Sequence, residues 1–199
     1  MNIIDFIFPK RCLECGKEGK YICEGCLAKV GRGGISKDHI SIFRYEGVIR
    51  KAIIALKYKF STEIANELAE TCVKHLGSGF HVPASSVLAP VPLHWYRQNL
   101  RGFNQSEEVG KLIAKQMGWK FIPNLLIKKK PTKSQVELKG ADRRKNLRRA
   151  FSLNANYQTL DSNCIVFDDV YTTGSTLKEA IKVLRVAGAQ KVWGLTIAR

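Results

Sequence analysis

No stretch of the chain approaches the ~18 consecutive apolar residues that a membrane-spanning helix needs. The start, Met1 to Phe8, carries Asp5 and lacks both a basic lead-in and a cleavage site. A soluble, cytoplasmic protein without membrane insertion is expected. Acidic residues are scarce, with 17 Asp+Glu against 33 Lys+Arg, and the net charge of +16 points to polyanionic partners such as phosphates, pyrophosphate or nucleic acid without choosing among them. There is no internal repeat and no helix-turn-helix pattern, which disfavours a DNA-reading regulator. At 199 residues, 45% apolar and 25% charged, the chain exceeds the usual single domain and falls short of two. One sizeable core with a small appendage is the natural expectation.

The appendage is marked by cysteine. Four of the six cysteines are Cys12, Cys15, Cys23 and Cys26, a C-x2-C-x7-C-x2-C pattern in which each pair can wrap a metal and together supply the four thiolates of a tetrahedral Zn²⁺ site. Gly16, just after the second sulfur, lets the chain curl back so that backbone N–H groups point at sulfur. Such a site is closed, hence structural. The alternative is a disulfide pair or a redox dithiol. The lack of an export signal disfavours the first, and four sulfurs exceed what the second needs. Residues 1–30 have few apolar groups beyond Ile3, Ile4, Phe6, Ile7 and Phe8, so metal must stand in for the missing core. Cys72 and Cys164 lie in apolar patterns and read as inert core residues.

Gly31 to Gly34, followed by Ile35, Ser36, Lys37 and Asp38, reads as a linker, and divides the chain into a zinc ribbon (1–34) and a main domain (35–199). Beyond it, Val48, Ala52, Ile53 and Leu56 recur at helical spacing, as do Ile64, Leu68, Cys72 and Leu76, with Ser61 and Thr62 available as caps. Val87 to Val91 is a buried strand stopped by Pro92, and Val109, Leu112, Ile113 and Met117 mark a helix ended by Gly118. Cys164 to Phe167 and Val192 to Ile197 are apolar runs of the kind covered on both faces of a sheet, and between them Leu177, Ala180, Ile181 and Leu184 make a helix. This βαβ unit predicts an α/β class with a mostly parallel sheet flanked by helices.

The chemistry concentrates at Ile165–Thr176, IVFDDVYTTGST. A buried strand runs into two carboxylates, Asp168 and Asp169, and then into Thr172, Thr173, Gly174, Ser175 and Thr176 at a helix start. The unpaired N–H groups and partial positive charge of that helix end suit a phosphate monoester, Gly174 permits close backbone approach, and the hydroxyls add donors. The carboxylates repel phosphate, so they accept from ribose hydroxyls or hold a metal. The bland alternative is a capped helix after a surface turn with solvated aspartates.

Joined in this order, the two halves resemble the phosphoribosyl pyrophosphate loop of type I phosphoribosyltransferases. The chain as a whole is similar to a narrower group, the ComF family of competence-associated proteins, also called GntX-like. That resemblance rests on the four-cysteine ribbon, Tyr45-Glu46-Gly47, Leu56-Lys57-Tyr58, Pro90-Val91-Pro92-Leu93-His94, Arg101-Gly102-Phe103-Asn104-Gln105, Gln135 with Leu138, Arg143-Arg144 with Asn146, Ala150-Phe151 and the loop. It implies the type I phosphoribosyltransferase fold with a small amino-terminal zinc ribbon, binding of phosphoribosyl pyrophosphate, and a link to DNA uptake with a competence helicase or other uptake proteins as partners.

Phosphoribosyl transfer needs basic groups to meet departing pyrophosphate. The family's fold implies that the loop from Pro92 to Arg101 supplies them, through Arg97 and Arg101; His94 reads rather as a loop or packing histidine. Mg²⁺ would arrive with the pyrophosphate. Lys128 to Arg149 carries ten basic residues against Glu137 and Asp142. It is a solvated loop, a flap over the pyrophosphate or a strip for nucleic-acid phosphates; Gln135, Arg144 and Asn146 favour a shaped role, with Arg144 as a substrate contact. No aromatic residue interrupts the segment before Phe151, so base stacking has no platform within it.

Two functions follow as expectations. The first is a phosphoribosyltransferase that releases pyrophosphate, with an acceptor left open because no purine or pyrimidine hood is readable. The alternative is a non-catalytic competence factor that binds single-stranded DNA and uses the sugar-phosphate pocket as sensor or grip.

Overall fold

The periodic stretches of the sequence fold as their spacing predicts. The structure, a computed structural model, describes residues 9–58, 61–76, 82–93, 99, 102–129 and 150–199. Chain order among them is α1 (Glu24–Leu27), β1 (Arg32–Ser36), β2 (His39–Phe43), α2 (Gly47–Tyr58), α3 (Thr62–Leu76), β3 (Val87–Pro90), α4 (Gln105–Met117), β4 (Lys120–Phe121), β5 (Leu126–Lys128), β6 (Phe151–Leu153), β7 (Cys164–Val170), α5 (Ser175–Val186) and β8 (Val192–Ala198). The helix ends follow local chemistry. Ser61 Oγ accepts from Ile64 N at 3.3 Å, the Asn104 side chain accepts from Ser106 N at 3.1 Å at the head of α4, and Gly118, at φ +69°, closes that helix.

A six-stranded sheet has the order β1-β2-β8-β7-β3-β4. Only β1 and β2 pair antiparallel; β2 with β8, β8 with β7, β7 with β3 and β3 with β4 are parallel. Strands β5 and β6 form a separate antiparallel pair. Alternation along β7 sends Ile165 and Phe167 to a core shared with α2, α3 and α4, and Cys164 and Val166 to a second core under α5. All four are fully buried. Because β7 has a strand on each side and helices on each face, its continuous apolar run is what the position demands.

The stretch read as a linker departs from expectation. Arg32–Ser36 is an edge strand, with Arg32 opposite Phe43 and Ser36 opposite His39. Glycine suits it for a steric reason: a β-carbon on Gly33 would overlap the carbonyl oxygens of Ser41 and Phe43. Glycine here permits close strand approach rather than disorder. The parallel strands carry their carboxyl ends to one edge of the sheet, the edge where open α/β sheets receive ligands. Asp168 and Asp169 stand there, at the end of β7.

Candidate functional site

The two neighbouring aspartates occupy different environments. Asp169 is 8% exposed and its Oδ2 takes the Lys57 ammonium of α2 at 2.8 Å and the Gln105 amide of α4 at 3.2 Å, while Oδ1 accepts from Val170 N at 2.7 Å. Burial works against the Lys57 charge, but the Asp169 carboxylate outweighs it and holds the lysine above its ordinary pKa. Asp168 accepts from Ser106 Oγ at 3.0 Å and from Asp169 N at 2.9 Å. Burial first, and then the neighbouring Asp169 charge, raises its pKa to about 7. Alternation explains the split, since consecutive side chains of a strand point to opposite faces.

Asp168 shares a cleft with Thr172, Gly174, Thr176 and, from β8, Thr196. Thr196 stands directly opposite Asp168 in the sheet register. Gly174 holds φ +69° at the head of α5, so the N-cap residue offers no side chain of its own, and the first turn has no acidic residue; Ser175 N donates to Thr173 Oγ1 at 3.5 Å. The Thr173 and Ser175 hydroxyls lie 2.7 Å apart, and Thr172 and Thr173 are exposed. As it stands the cleft has about 10 Å³ of interior space, room for about one water.

The four amino-terminal cysteines come together as a second centre. Their sulfurs all lie within 4.8 Å of one another, and the Cys15 and Cys23 sulfurs are 3.7 Å apart. Tetrahedral Zn–S bonds of about 2.3 Å put sulfurs about 3.8 Å apart, so the set fits such an ion. Burial disfavours the Cys12 thiolate, but backbone N–H groups of Cys15, Cys23 and Glu14 outweigh it and bring its pKa to about 6. Cys26, hydrogen-bonded to the Cys15 thiol and then hindered by burial, is pushed up to about 12. Four crowded thiols cannot all shed protons without a cation among them. Gly16 adopts φ +74° and its N–H donates to the Cys12 carbonyl at 2.9 Å, which is the curl that returns the chain toward sulfur. Cys72 and Cys164 are buried, and burial raises both thiols.

Arg97, Arg101, Arg144 and His94 lie outside the described residues, as does most of the basic segment, of which Lys128 and Lys129 are described. Sequence reasoning attached no role to Lys57, Gln105, Ser106, Thr196, His39 or Tyr171. Lys57, Gln105 and Tyr171 stood within the motifs that carried the family resemblance, and that was the available signal. The others reach the site through strand order and helix packing.

An α/β protein with a mostly parallel sheet, flanking helices and a cysteine cluster able to hold a metal such as zinc is what fold and sites define. The chain is 32% identical over 198 residues to Competence protein F of Haemophilus influenzae, covering 94% of this chain and 84% of that protein. It belongs to the ComF family. It is also 30% identical to DNA utilization protein YhgH of Salmonella typhimurium, over 92% of this chain and 82% of the relative, and 24% identical to Competence protein ComFC of Bacillus subtilis, over 94% and 77%. No family model matches the chain. Similar solved structures include the allosteric regulatory enzyme of purine biosynthesis (TM-score 0.46, 18% identity, 72% of this chain and 30% of that one). Another is adenine phosphoribosyltransferase from Leishmania tarentolae (TM-score 0.40, 16% identity, 75% and 60%).

Proposed function

We propose that the chain is a cytoplasmic phosphoribosyltransferase-type protein that binds 5-phosphoribosyl 1-pyrophosphate at the β7–α5 edge and serves DNA uptake. One observation carries the reading: Asp168 lines one cleft with Thr172, Gly174 and Thr176 at the head of a helix whose N-cap is a glycine. In this reading the turn and the α5 N–H groups take the 5-phosphate, and Asp168 accepts from a ribose hydroxyl. Asp169, tied to Lys57, braces the strand end from beneath. Arg97 and Arg101, with Arg144, meet the departing pyrophosphate, whose Mg²⁺ comes with the substrate. In transfer the anomeric C–O bond to pyrophosphate breaks as the acceptor's bond to that carbon forms, and the acceptor's proton leaves. Zinc in the Cys12, Cys15, Cys23 and Cys26 set acts structurally. The division into a ribbon (1–34) and a main domain (35–199) belongs to the same proposal, with the junction inside β1.

Calorimetry with phosphoribosyl pyrophosphate and Mg²⁺ tests the binding, and Asp168→Asn should reduce it sharply. Unchanged heat in that variant removes the ribose assignment. Release of pyrophosphate over a panel of bases, nucleosides and oligonucleotides tests transfer. A second reading, a non-catalytic factor that binds single-stranded DNA, draws support from the charge of +16 and from relatives named for competence and DNA utilization. Steep salt dependence of oligonucleotide binding without pyrophosphate release would favour it. Under either reading a competence helicase or another DNA-uptake protein is the proposed partner.

A further inference from the structure

His39, the first residue of β2, is 8% exposed although it is a polar side chain in the covered face of a sheet. Its Nε2 lies 3.1 Å from Thr196 Oγ1 and 3.3 Å from Ser41 Oγ, and those hydroxyls are 2.8 Å from each other. Three hydrogen-bonding groups thus close a small network and fix the imidazole plane. Burial, and then the Arg199 charge, lowers the imidazole pKa to about 4, so the ring is neutral at physiological pH.

One ring face is used. His39 stacks on Tyr171 with centroids 4.1 Å apart and planes at 19°. Tyr171 is the residue that leads β7 into the phosphate turn, and its N–H is anchored to the Ala198 carbonyl at 2.8 Å. Its ring and hydroxyl lie where a β-carbon on Gly174 would fall, so the turn rests on the tyrosine at the residue that starts α5. Room for this arrangement is made at Gly194, where a β-carbon would meet both Leu177 of α5 and His39. A continuous stack therefore runs from Thr196 and Ser41 through His39 and Tyr171 to Gly174. Thr196 is opposite Asp168 in the register, so the network also borders the carboxylate side of the cleft.

We infer that His39 is a positioning residue which, acting through the Tyr171 ring, sets the height and order of the 172–176 turn and thereby its grip on a phosphate. The inference rests on the reading of that turn as a phosphate site. The ring matters more than its nitrogens, because Ser41 and Thr196 remain bonded to each other when the imidazole is absent, whereas the Tyr171 ring loses the ring it stacks on. His39→Phe should keep the stack; His39→Ala removes it.

The experiment has two readouts on the whole protein. Amide hydrogen exchange over residues 172–176 should quicken in His39→Ala and stay near wild type in His39→Phe. Ribose 5-phosphate affinity, measured by calorimetry, should fall about tenfold in His39→Ala and return to within about twofold in His39→Phe. A role in stability alone would lower the melting temperature while leaving both readouts of the folded protein unchanged, and that result overturns the inference. Should His39→Ala not fold, Tyr171→Leu is used instead, with the same two expectations and the same overturning result. If wild type binds no ribose 5-phosphate, the phosphate reading fails; exchange at the turn then decides the stacking relay separately, and equal exchange in the alanine and wild-type proteins rejects it.

Discussion

The cysteine module and the β7–α5 edge are ordered by different means. Among the described residues of the module, Cys12, Ile22 and Cys26 are the buried apolar ones, too few to form a core of their own. It is joined to the main body by apolar packing, since these residues belong to the core shared with α2 and α3, and by polar contacts: Lys10 pairs with Glu63 at 2.9 Å, Tyr21 donates to Glu63 at 3.0 Å, Ile22 N donates to Glu67 at 3.0 Å, and Lys51 pairs with Glu14 at 3.2 Å. Exposed pairs of this kind contribute little, which leaves the small apolar contact and, as proposed, a metal held by the four sulfurs to order the module. β7, by contrast, is held by two parallel neighbours and a core on each face. The 172–176 turn inherits its position from that burial.

Metal removal should separate the two regions most strongly. Structural zinc in finger peptides has an apparent binding free energy of about 10–16 kcal/mol, and all of it is folding energy. Chelation, or Cys23→Ser, should release zinc measured by mass spectrometry and abolish amide protection over residues 10–30, while β7 and β8 keep theirs. If protection in β7 collapses together with the module, the two regions form one cooperative unit and the contrast fails.

The next effect lies at the edge itself. Lys57→Ala leaves the Asp169 carboxylate, 8% exposed, without its cation. Breaking a largely buried pair in this way costs about 3 kcal/mol or more, and each kcal/mol lowers the melting temperature by about 2–4 °C in a protein of this size. Lys57→Met combined with Asp169→Leu should recover most of the loss, because removing both charges avoids the orphaned one. Failure of that recovery would mean that the pair does more than balance charge. Gly174→Ala is expected to cost less, about 1–2 kcal/mol for a left-handed φ of +69°, but it also drives a methyl group into Tyr171. Its signature is therefore a disproportionate loss of ribose 5-phosphate affinity in calorimetry. A variant that loses stability and retains affinity would detach the turn from the phosphate.

Legibility in the sequence followed the same contrast. Helices α2 to α5 and strands β3, β7 and β8 were readable because apolar residues repeat at 3.6-residue spacing or run continuously where a strand is covered twice. β2 was hidden because His39 and Ser41, at alternating positions in HISIF, are polar yet buried in a network with Thr196, so alternation does not register as hydrophobic. β1 was hidden by glycines whose purpose is close approach, and β5 and β6, at three residues each, are too short to show a period. In the site, the turn and the paired aspartates were visible as a local string. The difference between Asp168 and Asp169 was not, because it depends on burial and on separate partners, Lys57 for Asp169 and Ser106 for Asp168, which lie 112 and 62 positions away along the chain.

That difference yields the finest test. Asp168 has a folded pKa of about 7, well above the ~3.9 of an unfolded aspartate. The folded state therefore binds more protons than the unfolded state between those values, and stability falls as pH rises from about 4 to about 7. Asp168→Asn removes the titration. The variant should match wild type near pH 4 and melt higher at pH 8, when both are compared without ligand, with the gap opening through that window. Phosphoribosyl pyrophosphate should reverse the order at pH 8, since a charged carboxylate accepts from the ribose hydroxyl more strongly than an amide oxygen does. A gap of constant size from pH 4 to pH 8 would mean that Asp168 does not titrate in this range, and that the two carboxylates share one environment after all.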